Sequence, residues 1–537
     1  MMSNIILGRC PIRSGMTKVF LTVIAGLIGY LLTSCTGMFE EINRNPNEVT
    51  DTQLQVMNYK TGTNIKTLQS LVVPVQEHLY QFVESLAGGP FGGYIGATPD
   101  AWLTKFETFN PSSHWRKAPF VDVISETYPS YRAIMSGTDD EVVMAFAKLF
   151  RVAIMHRVTD TYGPIPYDQI INNAEESLQV GYDSQEDVYD KMFTELDEVI
   201  AVFTSNMALD PSAFVSFDSV YYGNIAQWLK YANSLKLRMA MRLTYVKPEI
   251  AKAKAAEAIA AGVITSNADN AYMHPVENRM TLIYNDWADH RVAADIICYM
   301  NGYVDPRREK MFLPTAKGDF CGIRIGIDPH SKSHAINYFS NMVVAADTPI
   351  LWMNAAEVSF LMAEYELRWG TEQAARELYE NGVRLSFEEW GASGEDAYLK
   401  DSRSVPEVHK DPMSSTYDGN GPQSTITVAW QTGADAEVNL EKIITQKWIA
   451  IFPLGTEAWS EYRRTGYPRL MPVIENKSGG TVDVRYGARR LQYPVEEYTE
   501  NAENLEVAIQ ILLEESASYN GDTMGTRVWW DCKPFNE

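Results

Sequence analysis

Positive charge is scarce in this chain: 46 Lys and Arg stand against 69 Asp and Glu, a formal net charge of −23. A surface that reads nucleic acid carries a basic footprint, and none exists here. Nor can basic patches bind anionic lipid. Cysteine is also rare, with five in 537 residues. Two of them, Cys10 and Cys35, lie near the start, and Cys298, Cys321 and Cys532 are far apart. No C-x-x-C pair occurs, which removes the common zinc frameworks, and at most one disulfide can form among the last three. The G-x-S-x-G, H-E-x-x-H, P-loop and dinucleotide fingerprints are missing, and with them the enzyme classes they mark. His330 and His334 are four apart, but Pro329 puts them in a loop, and two histidines without a third ligand make a poor metal site. No EF-hand spacing supports calcium near Asp418. We expect no cofactor and no metal. No apolar run reaches the roughly 20 residues that a bilayer-spanning helix needs.

One shorter run is informative. Residues 19–32 are apolar, follow Lys18 and lead into Leu32-Thr33-Ser34-Cys35. A basic start, a short apolar stretch and small residues before a cut form an export signal. Cys35 at the cut is the pattern of a bacterial lipoprotein, so residues 1–34 are expected to be removed and Cys35 lipidated. Met16 is an alternative start. Two or three acyl chains hold a domain at a membrane where one binds only marginally. Residues 35–50, polar and rich in Asn, read as a tether, and residues 51–537 as the folded domain.

Helical periodicity dominates that domain. Thr138 with Glu141 reads as a capping box, followed by Val142, Phe146, Leu149 and Ala153 on one face. Ser184 with Asp187 is a looser start of the same kind. A helix over 224–246 carries Trp228, Leu235, Met239 and Leu243 inward, with Lys230, Arg238 and Arg242 on its other side. Helices over 354–369 and from Thr371 meet at Gly370, with Ala375 and Gly382 at close-packing positions. Further pairs fall at 120–157, 184–245 and 437–464. These are tetratricopeptide-like hairpins without a strict period. Three long irregular stretches, 85–119, 265–350 and 391–436, interrupt them, and long loops in a folded protein are commonly functional. The expected class is all-α, a helical-hairpin scaffold with loops forming a ligand-binding face.

Flat aromatics on rigid loops pack against the C–H faces of sugar rings, and neighbouring polar groups bind hydroxyls. The first stretch offers Tyr94, Trp102 and Trp115 with Asp100 and Asn110. The third quarter of the chain offers Tyr284 and Trp287 with Asn285 and Asp286. These five aromatics are the candidate ligand-binding residues. A glycosidase needs two carboxylates held roughly 5–10 Å apart, and no such pair is identifiable.

Several strings carry a resemblance: FEEINRNPNEVTD (39–51), TDTYGPIPYDQI (159–170), YDSQEDVYDKMFTELDEVI (182–200), WLKYANSLKLRMAMRL (228–243), NGYVDPRR (301–308) and AAEVSFLMAEYELRWG (355–370). KIITQKWIAIFPLGTEAWSEYRRTGYPRL (442–470), RRLQYP (489–494) and TRVWWD (526–531) complete the series. Together with Cys35 the chain resembles the SusD/RagB family of Bacteroidota outer-membrane lipoproteins. The resemblance implies a tetratricopeptide-like core, an outer-membrane position facing outward, and a SusC-like TonB-dependent transporter as partner. It implies capture of an oligosaccharide, or in some members of a peptide, and ligand sites in the loops after the early helices and in the central insert. A surface glycoside hydrolase is the least supported alternative. Physically the strings read as structural. Arg463-Arg464 before Gly466 suit a helix C-terminus, Asp305-Pro306-Arg307 suits a turn with an internal ion pair, and Tyr162-Gly163-Pro164 suits a rigid loop after a helix.

Overall fold

Helix after helix follows the predicted periodicity. The computed structural model describes residues 59–171, 179–210, 214–328 and 331–535. Cys35, the leader and the tether lie outside them, as does His330. The major helices are α1 (Tyr59–Val72), α2 (Glu77–Tyr80), α3 (Val123–Gly137), α4 (Glu141–Tyr162), α5 (Gln185–Ser205), α6 (Ile225–Arg242), α7 (Pro248–Ala261) and α8 (Ala294–Gly302). After them come α9 (Ala355–Trp369), α10 (Glu372–Glu389), α11 (Ala436–Ala450), α12 (Gly455–Thr465) and α13 (Ala502–Glu515). The described strands are short and form three antiparallel pairs: β1 (Ile95–Ala97) with β3 (His290–Val292), β2 (Ala271–Met273) with β6 (Ile350–Met353), and β4 (Phe312–Leu313) with β5 (Asn341–Met342). The all-α expectation therefore holds.

Local chemistry sets the helix ends. Ser184 caps α5 by accepting from the Asp187 amide, and Thr371 caps α10 by accepting from Ala374. Gly466 ends α12 in the left-handed region at φ 81°. The expected Thr138–Glu141 box is corrected: α4 starts at Glu141 and its cap is Asp140, whose carboxylate accepts from the Val142 and Val143 amides. Thr138 instead accepts from the Asp140 amide, one step upstream. His334, assigned to a loop, sits in the short helix Lys332–Tyr338, capped by Ser331. No disulfide forms among Cys298, Cys321 and Cys532.

The stretch 85–119 also differs from expectation. Its beginning is buried helix: α2 runs on into a π-helical turn, Gln81–Gly88, and then a turn at Gly89–Phe91. Its glycines serve close backbone approach rather than looseness. A Cβ on Gly88 would lie 2.4 Å from the Thr456 amide, and one on Gly455 2.5 Å from the Gly89 amide. This turn crosses the start of α12 backbone to backbone, and Glu84 accepts from the Thr456 amide at 3.1 Å.

The largest correction concerns α6. Arg238 and Arg242, expected on an outer face, are 5% and 1% exposed. Arg238 binds both oxygens of Glu357 at 2.7 Å. Arg242 binds both oxygens of Glu457 at 2.7 Å, reaches Asp160 at 3.2 Å, and donates to Glu461. Arg464 bridges Glu364 and Glu461, and Lys447 lies 3.1 Å from Glu461. Arg368 closes the set on Glu364 at 2.8 Å. The second Asp160 oxygen accepts from Tyr189 and from the Trp530 indole. Helices α4, α5, α6, α9, α11 and α12 and the irregular C-terminal tail thus meet at one buried polar cluster. The expected Asp305–Arg307 pair is present, likewise fully buried, at 2.6 Å.

Burial raises the cost of each charge, and neighbours offset it. Burial alone would push the Glu457 carboxyl up; Arg242, Arg238 and Lys447 together hold it down to about 2. Its stabilising contribution is therefore complete above its ordinary value of 4.5 and is lost as pH falls toward 2. We predict a melting temperature that is level near neutrality and drops below about pH 4.5. Arg242→Met should leave Glu457 and Glu461 under-compensated and cost about 3–5 kcal/mol in chemical denaturation.

Candidate ligand-binding site

Two segments separated by nearly 200 positions are joined by the β1–β3 pair, in register Ile95 with Val292 and Ala97 with His290. This pairing extends through the Thr98 amide, which donates to the Asp289 carbonyl at 2.9 Å, and the Thr98 hydroxyl, which donates to the Ala288 carbonyl at 2.6 Å. The loop beyond β1 is then pinned from beneath. Buried Lys105 pairs with buried Glu107 at 3.2 Å and donates to the Ile327 carbonyl at 3.0 Å. Glu107 accepts from the Ala97 amide at 3.0 Å. Asn110, read as a ligand-facing polar group, is consumed locally: its side chain bonds Thr108, the Lys105 amide and the Leu103 carbonyl.

Held this way, three of the five expected aromatics stay partly exposed: Trp102, Trp115 and Trp287. Trp102 meets Trp115 edge-on at 5.1 Å, and Trp115 stacks against buried Phe106 at 6.0 Å. Exposed Leu103 stands at the loop tip. The other two are core residues, a correction with a clear cause. Tyr94 precedes β1 on its buried side, stacks on Trp448 at 5.4 Å, and donates its hydroxyl to the Trp448 carbonyl. Tyr284 is 1% exposed and shares a hydrogen bond with Ser85 at 2.8 Å. Burial holds its phenol up to about 12. Neither offers a face to a ligand.

The helix Glu77–Tyr80 and its π-helical continuation supply what the sequence reading missed. His78 and Phe82 are four apart and so share one face. His78 stacks on Trp287 at 5.2 Å with 17° between the planes. Phe82 sits 5.5 Å from His114 and 6.0 Å from Trp115. One helix face thus connects both loop clusters into a continuous aromatic platform. The signal was present as an aromatic pair at helical spacing, masked by the neighbouring glycines that suggested a loop.

Polar groups frame the platform. Gln81 donates to Asp289 at 3.2 Å and lies 3.2 Å from His290 Nε2. Lys332, on the short helix containing His334, donates to the other Asp289 oxygen at 2.5 Å. His290 contacts the Trp102 ring at 6.3 Å from below. Burial, with Lys332 and Arg291 nearby, pushes its imidazole down to about 3, so it is neutral at physiological pH. Asp100, Asn285 and Asp286 are exposed at the rim. Among the described residues no group of three or more His, Cys, Asp or Glu is arranged to hold a metal ion. The arrangement offers flat apolar faces beside fixed donors and acceptors, which is the chemistry of recognising an amphipathic ring.

No helix among the described residues is long and apolar enough to cross a membrane. No curated protein matches the chain in sequence. Solved structures do match it. A SusD homologue from Bacteroides thetaiotaomicron is 50% identical with a TM-score of 0.85, covering 89% of this chain and 100% of its own. One from Bacteroides ovatus is 42% identical with a TM-score of 0.82, covering 88% and 99%. A chitin-binding SusD homologue from Flavobacterium johnsoniae is 34% identical with a TM-score of 0.82, again covering 88% and 99%. The family model for the SusD and RagB outer-membrane lipoproteins matches residues 41–531. With its helical scaffold and ordered landmark strings, the chain belongs to the SusD-like family of outer-membrane lipoproteins.

Proposed function

We propose that this protein captures oligosaccharides at the cell surface and delivers them to a SusC-like TonB-dependent transporter. The observation that carries the reading is the platform of Trp102, Trp115, Phe82, His78 and Trp287. It is built from two distant loops, pinned by buried bonds and left partly exposed. A rigid aromatic surface has already lost its conformational freedom, so a sugar ring binds without the cost of ordering it. Asp289 and Lys332, with buried Gln81 behind them, are placed to meet hydroxyls at the edge of that surface. The chitin-binding relative supports a carbohydrate as the ligand class. The protein binds and releases; it does not turn its ligand over. Lipidated Cys35 and the tether 36–50 hold the domain at the outer membrane while leaving it free to swing as a lid.

Isothermal titration against plant, host and microbial oligosaccharides tests the reading. We expect a Kd in the micromolar to millimolar range for at least one glycan, weakened about 10- to 100-fold by Trp102→Ala or Trp287→Ala, or about 1.4–2.7 kcal/mol. Binding of mixed oligopeptides with no response to any glycan would overturn it. Because burial holds His290 neutral, His290→Gln should leave the pH dependence of affinity between pH 5 and pH 8 unchanged. Cys35→Ala should release the protein from the membrane fraction with its circular dichroism unchanged, measured by cell fractionation.

A further inference from the structure

Behind the platform, on the other side of α2, lies a cavity of about 200 Å³. His78 and Phe82 face the platform, and Tyr80, two positions from each, lines the cavity instead. Residues of β2 and β6, the end of α10 and the segment after α11 supply the other walls. An apolar cavity of about 150 Å³ holds one benzene molecule, so this one has room for a substituted ring.

The wall has one electrostatic sign. Tyr80, Tyr272, Trp390 and Phe452 line it, and the faces of aromatic rings are negative. Two carboxylates, Glu84 and Glu389, join them, and no Lys, Arg or His does. Glu84 is already compensated. Arg157 pairs with it, and the amide and hydroxyl of Thr456 each donate to it at 3.1 Å. Glu389 lacks such a partner. Its Oε1 accepts from the Tyr272 hydroxyl and from Asn270 at 3.2 Å, and its Oε2 accepts from Asn354 at 2.8 Å. All three donors are neutral. Arg307, the cation that acts on it from farther away, is committed to Asp305 at 2.6 Å. An ionised carboxylate has about four lone-pair sites, so Oε2, with one donor, has capacity left. Burial pushes the Glu389 carboxyl up to about 7. Glu389 nevertheless keeps accessible surface. A side chain that its surroundings desolvate and that still has accessible surface is one that faces a cavity.

We propose that this cavity is a binding site for a small organic cation, with the ammonium group against Glu389 and a single ring or short chain among the four aromatic residues. A desolvated carboxylate without a cation is costly, and a ligand cation supplies the charge that no residue does. The ring faces attract the same charge. An anion would meet two carboxylates and no cationic partner. A neutral molecule of the same shape fills the space but leaves Glu389 uncompensated. The site is independent of the aromatic platform and of the oligosaccharide reading built on it.

Isothermal titration of the full chain with benzylamine tests the proposal, with benzyl alcohol and benzoate as neutral and anionic counterparts of similar shape. We expect benzylamine to bind in the millimolar range or tighter, and about tenfold more tightly than either counterpart. Affinity should fall about tenfold from pH 8 to pH 6, because Glu389 holds the cation as a carboxylate and gains its proton through about pH 7 while the ammonium stays charged. Glu389→Gln, which keeps the side chain's size, should weaken binding about tenfold and remove that pH dependence. Val343→Trp is the second variant. Val343 lines the cavity yet is 42% exposed, so a larger side chain there obstructs the mouth without disturbing the core, and binding should again be lost. The Trp102→Ala, Trp287→Ala double variant should bind benzylamine as the unaltered protein does. Absence of benzylamine binding, equal binding of benzyl alcohol or benzoate, unchanged affinity in Glu389→Gln or Val343→Trp, or binding lost with the two tryptophans would each overturn the proposal. Loss of oligosaccharide binding with benzylamine binding retained would instead count against the platform alone.

Discussion

A set of five cations and five carboxylates, all buried except half-buried Arg368, is the constraint on which the helical scaffold depends. Arg238, Arg242, Arg368, Lys447 and Arg464 face Asp160, Glu357, Glu364, Glu457 and Glu461. Such a cluster gives little net stability over an apolar core, because desolvation consumes most of the Coulomb gain. Its consequence is geometric. Each guanidinium has a fixed fork of donors, and a bidentate carboxylate admits one approach. Six helices that meet here must hold their angles and registers together, or a buried charge is left without a partner. The C-terminal tail is drawn into the same arrangement: Trp530 donates to Asp160, while Arg489 and Arg527 grip Asp531.

Rigidity there is transmitted to the ligand face through few contacts. Glu84, on the π-helical turn beneath the platform, accepts from the first turn of α12, the helix that carries Glu457, Glu461 and Arg464. The same turn presents Phe82 to the platform and braces Asp289 through buried Gln81. An aromatic surface that binds by shape gains from such support, since a loop free to move would have to be ordered by the ligand. The short β1–β3 pair adds the other half by locking the central insert to the loop after the first helices.

Much of the scaffold was legible along the chain. Apolar spacing marked α5, α6, α9 and α10, Ser184 and Thr371 marked the starts of α5 and α10, and Gly370 and Gly466 the stops of α9 and α12, because these signals act within one or two turns. The errors share a cause. Arg238 and Arg242 read as solvent-facing because charge on an isolated helix belongs in water; only partners 82 to 219 positions away reverse that. Gly88 and Gly89 read as a loop because local rules cannot see the backbone of α12 against them. Tyr94 and Trp102 look alike in sequence, yet one is core and the other half exposed, a distinction set by which side of β1 each falls on.

The sequence by itself determined the helical class, several helix ends, the lipoprotein pattern at Cys35 and the family, all carried by local spacing and by strings in a fixed order. Only the tertiary structure decided that those strings converge on one buried charge cluster, and that His78 and Phe82 bridge two loops into one platform. It alone separated Trp102, Trp115 and Trp287 from the buried Tyr94 and Tyr284. The physical reason is that burial and charge compensation are properties of contacts between distant segments, whereas periodicity and capping are properties of neighbours.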